Sequence, residues 1–188
     1  MESECRIGID PSINSTGICV YISDGVNEQN IYYNIVGKCT RKMKEFKHDN
    51  VYIIDYGKFS EKHDSYILKE RQKTVNIYNI CSHIRTILKK YNPSCVLMEG
   101  VSYGSVNGAA LVDLSGLNFA IRMVINELNI PLNIVSPRAV KKFAIANGAA
   151  DKDVIIKAWK LLDQNISDII DIKIDDLADS YFIARYTE

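Results

Sequence analysis

Arg6-Ile7-Gly8-Ile9-Asp10-Pro11-Ser12-Ile13-Asn14-Ser15-Thr16-Gly17-Ile18-Cys19-Val20-Tyr21-Ile22 is the stretch that decides how this chain folds. Arg6 to Ile9 is a short apolar run of strand length, and Asp10-Pro11-Ser12 stops it. Asn, Ser and Gly between Ile13 and Gly17 supply turn chemistry, and Ile18 to Ile22 is a second strand. Strand, tight turn and strand predict an antiparallel hairpin with Asp10 at its open end.

Downstream, Asp24 to Asn50 is polar and loop-like around one apolar patch, Ile31 to Val36. It reads as an elongated hairpin or an insertion over about residues 24–50. Val51 to Phe59 is a third strand by its β-branched and aromatic content. Ile67 to Tyr91 carries a helical stripe of Ile77, Ile80, Cys81, Ile84, Ile87 and Leu88, and Asn92-Pro93 ends it. Cys95 to Met98 is an apolar run of strand length that Glu99 closes. Gly100 to Gly108 is a loop, Leu111 to Leu128 a helix and Leu132 to Val135 another buried strand. Pro137 starts a helix to Ala146, with Asn147-Gly148 as its cap. Lys152 to Leu162 and Asp175 to Tyr186 are the last two helices. Strands first in a meander, then alternating with helices, predict one mixed-sheet α/β domain over residues 1–188.

The final helix contains the electrostatic oddity. In Asp175-Asp176-Leu177-Ala178-Asp179, Asp176 and Asp179 share a face about 5–6 Å apart at Cβ. Like charges so close resist joint ionisation unless a cation sits between them. Asp10 and Glu99 lie at the ends of separate buried strands, so neighbouring strands would bring all four acids together. Oxygen-only ligands of this kind suit Mg²⁺ or Mn²⁺. Two such ions about 3.5–4 Å apart activate water and stabilise a leaving 3′-oxygen, which makes phosphodiester hydrolysis the reaction class. Asp175 is ambiguous, either the helix N-cap or a partner of Asp179.

Composition bounds this reading. With 188 residues, 47% hydrophobic and 24% charged, the chain has ordinary globular composition. Five Cys form no paired motif and three His are scattered, which counts against disulfides and zinc. Met1-Glu2-Ser3-Glu4 is acidic and lacks signal-peptide character. No run approaches the roughly 18 apolar residues of a membrane span. The expectation is a reduced, cytoplasmic protein with no membrane partner. Lys and Arg total 23, equal to Asp and Glu, so no global charge attracts DNA. Two local basic runs offset that: Lys38, Arg41, Lys42, Lys44 and Lys47, and Arg138, Lys141 and Lys142. Either is also compatible with an ordinary solvated face.

Four segments resemble the RuvC-type Holliday junction resolvases of the ribonuclease H superfamily, with its phage and viral members. They are Gly8-Ile9-Asp10-Pro11-Ser12 with Thr16-Gly17; Met98-Glu99-Gly100-Val101 with the helix around Gly116; Ser136-Pro137-Arg138-Ala139-Val140-Lys141-Lys142 with Asn147-Gly148 and Ala150-Asp151-Lys152; and Asp176-Leu177-Ala178-Asp179-Ser180. The third discriminates most, because Val140-Lys141-Lys142 followed eleven residues later by Asp151-Lys152 is no generic ribonuclease H feature. The resemblance implies a ribonuclease H-like α/β fold, a mixed five-stranded sheet flanked by helices. It implies a metal-dependent endonuclease that resolves four-way and related branched DNA with two Mg²⁺ ions, Mn²⁺ substituting. Asp10, Glu99, Asp176 and Asp179 would be the catalytic metal ligands, with Lys152 also catalytic. Lys141, Lys142, Lys152 and Arg138 would contact DNA, and Tyr103 would stack on a base or be an ordinary loop aromatic. The family acts as a homodimer, which places Leu114 to Ile125 at a dimer seam, although that apolar stripe also suits a core. The chain departs from the family pattern by the extra residues around Ile31 to Asn50.

Two other readings remain open. A catalytically inactive junction-binding protein would share the fold. An actin-like or sugar-kinase ATPase also begins with an Asp in a strand–turn–strand, but the chain is short for its two domains and has no adenosine-binding Gly-rich pair.

Overall fold

The computed structural model describes residues 3–59, 65–101, 108–163, 166 and 175–187. Its elements in chain order are β1 (Glu4–Asp10), β2 (Ser15–Ser23), β3 (Glu28–Val36), α1 (Arg41–Glu45), β4 (Val51–Asp55), α2 (Tyr66–Tyr91), β5 (Cys95–Glu99), α3 (Gly108–Glu127), β6 (Leu132–Val135), α4 (Pro137–Ile145), α5 (Lys152–Leu162) and α6 (Asp175–Arg185).

The sheet runs β4-β3-β2-β1-β5-β6. β1, β2 and β3 form an antiparallel meander. β5 and β6 continue it in parallel beyond β1, and β4 lies parallel to β3 at the other edge. The sheet therefore has six strands rather than the expected five. β3 is the added strand: Ile31 to Val36 belongs to a nine-residue strand that pairs with β2 along its whole length, as one arm of a hairpin. The third strand expected over Val51 to Phe59 stops at Asp55.

Strand alternation sorts the side chains onto two faces. Ile7, Ile9, Ile18, Val20, Val96 and Met98 pack with Ile80, Ile84, Leu117 and Ile121 of α2 and α3. Cys19, Tyr32 and Leu97 pack on the opposite face with Val140, Trp159, Leu177 and Tyr181 of α4 to α6. Trp159 is fully buried, as its apolar neighbours require. By the same alternation, Asp10 and Glu99 share the parity of Gly8 and Leu97 and so face α4 to α6.

Helix ends follow local chemistry. Asn92 caps α2 in the left-handed region at φ 43°, and its N–H reaches the Leu88 carbonyl. Ser136 caps α4, accepting from the Ala139 N–H at 3.2 Å ahead of Pro137. The left-handed C-cap of α4 is Ala146 at φ 58°, one residue before the expected Asn147-Gly148. By length and apolar content alone, α3 is sufficient to cross a bilayer, against the expectation from the sequence. Leu117, Ile121 and Ile125 are nevertheless fully buried in the core, and Glu127 is bound to Arg85 of α2. Within Leu114 to Ile125 the inner face is thus core, while Phe119 and Met123, with Val112 ahead of them, are exposed on the outer face.

A buried polar cluster pins α5 to the sheet. Tyr32 donates its hydroxyl to Asp163 Oδ2 at 2.6 Å and accepts from Trp159 Nε1 at 3.0 Å. Asn30 donates to the same carboxylate oxygen at 2.9 Å. Burial and the facing acid push the Tyr32 phenol far above its ordinary range, so it remains a donor at all working pH.

Candidate active site

Ile9 is in register with Met98, so the next residues, Asp10 and Glu99, end adjacent parallel strands side by side. The strand spacing there is about 4.8 Å. Beyond Asp10 the turn is held by Thr16, whose hydroxyl donates to the Ser12 carbonyl at 2.6 Å and accepts from the Ser12 N–H at 3.1 Å.

Two glycines let α6 come down onto this edge. A Cβ at Gly8 would collide with the backbone of Ser180 and Ala184, and one at Gly17 with the backbone of Asp176. Helix and sheet therefore meet backbone to backbone. Gly17 pairs with Asp10 across the hairpin, so contact at Gly17 delivers the first turn of α6 beside Asp10. Asp176 and Asp179, one turn apart, follow.

The electrostatics show how tightly the four acids are gathered. Burial raises the Asp10 carboxyl well above its ordinary range, and the charges of Glu99, Asp179 and Asp176 push it further. Asp10 and Glu99 are hydrogen-bonded to each other, with Asp10 the natural proton donor. Glu99 is also raised, by burial, against the opposing pull of this bond and of Lys141 and Lys152. Asp179 is raised to about 7, first by burial and then by Glu99 and Asp176, with Lys152 and Lys141 opposing.

As placed, no three acidic, His or Cys groups among the described residues close into a complete cation cage. The donor set still fits a hard divalent cation: it is all carboxylate oxygen, and every charge-induced rise in pKa is one that a cation would reverse.

The basic residues take separate places. Lys141 donates to the Ala150 carbonyl at 3.0 Å, tying α4 to the start of α5 while its charge reaches Glu99 and Asp179. Lys152 Nζ lies 2.7 Å from Asp175 Oδ2. Asp175 is the first residue of α6, and its carboxylate meets Lys152. Lys142 and Arg138 are exposed, and the Arg138 side chain lies against Gly148. In the other basic run, Arg41 pairs with Glu45 within α1. Tyr103 lies outside the described residues.

Sequence reasoning missed one support. Asn118 of α3, 2% exposed, donates to the Glu99 carbonyl at 2.9 Å and accepts from Arg122 Nε at 2.8 Å. It fixes the end of β5 from the face opposite α6. A polar residue on the buried stripe of an apolar helix was the only available signal.

No family model matches the sequence, and no curated protein matches it. Solved structures do match, and the six-stranded mixed sheet with helices on both faces is a fold this chain shares with RuvC-type Holliday junction resolvases. It superposes on Thermus thermophilus RuvC in complex with Holliday junction substrate with a TM-score of 0.64 and 18% identity, over 96% of this chain and 90% of that one. A second Thermus thermophilus RuvC structure gives 0.62 and 16% over the same shares. The yeast mitochondrial Holliday junction resolvase gives 0.54 and 18%, over 96% of this chain and 76% of that one. At these identities the likeness is one of fold.

Proposed function

We propose that this protein is a metal-dependent endonuclease that cuts branched DNA, four-way junctions first among them. The observation that carries this reading is the convergence of Asp10, Glu99, Asp176 and Asp179 at one sheet edge, with Lys141 and Lys152 beside them. The fold it shares with a RuvC solved on a Holliday junction supports branched DNA as the substrate.

Mg²⁺ or Mn²⁺ held by the four carboxylates would activate a water and stabilise the leaving 3′-oxygen. The chain's own groups do the rest. Half-buried carboxylates that repel one another lose their protons on binding a cation, so the site is assembled by the same event that makes it reactive. Lys152 stands at the mouth, where its ammonium offsets charge developing on the phosphate, a role worth about 10²–10³ in rate for a single donor. Asp175 holds that ammonium in place beforehand. Arg138 and Lys142, exposed on α4, suit the flanking phosphates and position the strand without reading its sequence. Paired cuts across a junction call for two sites, and the exposed apolar residues of α2 and α3, Tyr78, Phe119 and Met123 among them, suit a homodimer.

A four-way junction with each strand labelled in turn, incubated with Mg²⁺, tests the reading. Paired nicks near the branch point are expected, lost in D179N with junction binding retained. Tight binding without nicks would replace the nuclease by a junction-binding module, and ATP turnover without DNA would replace both.

A further inference from the structure

Beside the candidate active site, on the α2/α3 face of the sheet, lies a second feature that the hydrolytic reading does not use. It is a cleft of about 350 Å³ lined by Ile13, Lys58, Phe59, Lys69, Gln72 and Ile77, among others. That volume lies at the lower end of the range for small-molecule sites and suits one nucleotide-sized group. Ile13 is only three residues beyond Asp10, so the cleft begins at most about 11 Å away along the chain. At about 3.4 Å per stacked nucleotide, that is roughly three nucleotides from the phosphate Asp10 would serve.

The walls are fixed with unusual care for a surface feature. Asn76, 5% exposed in the middle of α2, accepts from the Phe59 N–H at 2.8 Å and donates to the Phe59 carbonyl at 3.1 Å. Asn79, one turn on, donates to the Tyr56 carbonyl at 3.3 Å, and the Tyr56 hydroxyl donates to the Ile13 carbonyl at 2.7 Å. Lys58 Nζ donates to Asn14 Oδ1 at 2.6 Å, in the same turn that follows Asp10. Two side-chain amides, which could have been apolar, hold one extended segment rigid. Phe59, which it presents, remains 41% exposed.

The charge points the same way. Among the described residues, Lys58, Lys69 and Lys73 line the cleft with one acid, Asp113, and Lys73 pairs with it at 2.9 Å and with Glu70 at 3.0 Å. A rigid aromatic with lysines beside it is the combination that takes an unpaired base and its phosphate. We infer that this cleft binds an unpaired nucleotide of the DNA strand running through the active site, its base on Phe59 and its phosphate between Lys58 and Lys69. The inference rests on the nuclease reading for the position of that strand, and the chemistry of the cleft stands without it.

The test uses the full chain and a short oligothymidylate carrying one 2-aminopurine, followed by anisotropy and by quenching of the 2-aminopurine. Wild type should bind and quench. F59A should weaken binding about tenfold and abolish quenching, and F59W should restore both. K58A/K69A should lower the slope of log K against log salt by about 0.7. Should F59A fail to fold, F59L and the surface pair K58A/K69A decide the matter. Wild-type binding by both variants overturns the inference, as does a K58A/K69A loss on duplex DNA with F59A silent, which marks a duplex-backbone contact. If the wild type cuts no junction yet binds the oligonucleotide through Phe59 and the lysines, the nuclease reading falls and the cleft stands.

Discussion

Asp179→Asn separates the electrostatic account of the site from a merely structural one, and does so without any DNA. In the metal-free protein the Asp179 carboxyl is raised from 3.8 to about 7. The folded protein therefore holds a proton that the unfolded chain has already lost, and stability falls as pH rises between those two values. At 1.36 kcal/mol per unit the total cost approaches about 4 kcal/mol above pH 7, of which roughly 2 has been incurred by pH 5. Asparagine has nothing to ionise. The stability gap between D179N and wild type should therefore widen in favour of D179N by about 2–3 kcal/mol from pH 5 to pH 8, or some 5–10 °C in Tm for a protein of this size. Only this pH-dependent part is diagnostic, since the exchange of oxygen for nitrogen adds a constant offset. Thermal melts in chelator at the two pH values read it directly. Mg²⁺ should stabilise wild type at pH 8, by about 2.7 kcal/mol at a hundredfold excess over Kd, and should stabilise D179N much less. A flat gap, or equal Mg²⁺ stabilisation of both proteins, refutes the claim that the four acids share one cation-demanding site.

Gly17→Ala drives a methyl into the Asp176 backbone, which cannot rotate away. A loss of about 3 kcal/mol or more is expected in urea unfolding, whereas Gly57→Ala at φ 66° meets no atoms and costs only its backbone strain. Asn118→Ala removes the bond to the Glu99 carbonyl and strands a buried acceptor. About 1–3 kcal/mol of stability should go, and the Mg²⁺ concentration for half-maximal thermal stabilisation should rise about tenfold. Trp159→Phe takes the indole N–H from the Tyr32 hydroxyl in a buried cluster. A loss of about 1–2 kcal/mol by denaturant titration is expected, with α6 and the four acids undisturbed in Mg²⁺ binding.

Much of this architecture was legible because its elements carry local signals that agree with their tertiary roles. α2 shows its stripe and its Asn92-Pro93 stop, and β1 and β5 are apolar runs that end in the two acids. β3 was obscured because it begins Glu28-Gln29-Asn30 and buries Asn34, whose side chain accepts from Ser15 at 2.9 Å. Polar residues that find partners only in the sheet look like loop until the sheet exists. Asp175 was ambiguous for the same reason: its partner Lys152 is distant in sequence, so local capping rules had nothing to weigh against. Gly8 and Gly17 offered a signal that went unused. A glycine inside a strand marks close backbone approach, and together they locate the line along which α6 lies.

That line also sets the order in which the four acids come together. Asp176 is made 166 residues after Asp10, so the grooves at Gly8 and Gly17 wait through that whole interval for the helix that fills them. Until α6 emerges, the chain can form its meander, α2 and β5, with only two of the four acids in place. Contacts of such long sequence separation form late, and a chain that stops before α6 would lack two of the four acids. Because backbone rather than side chain meets at the two glycines, α6 fits only along the line they leave open, and its docking is what brings the second pair of acids to the first.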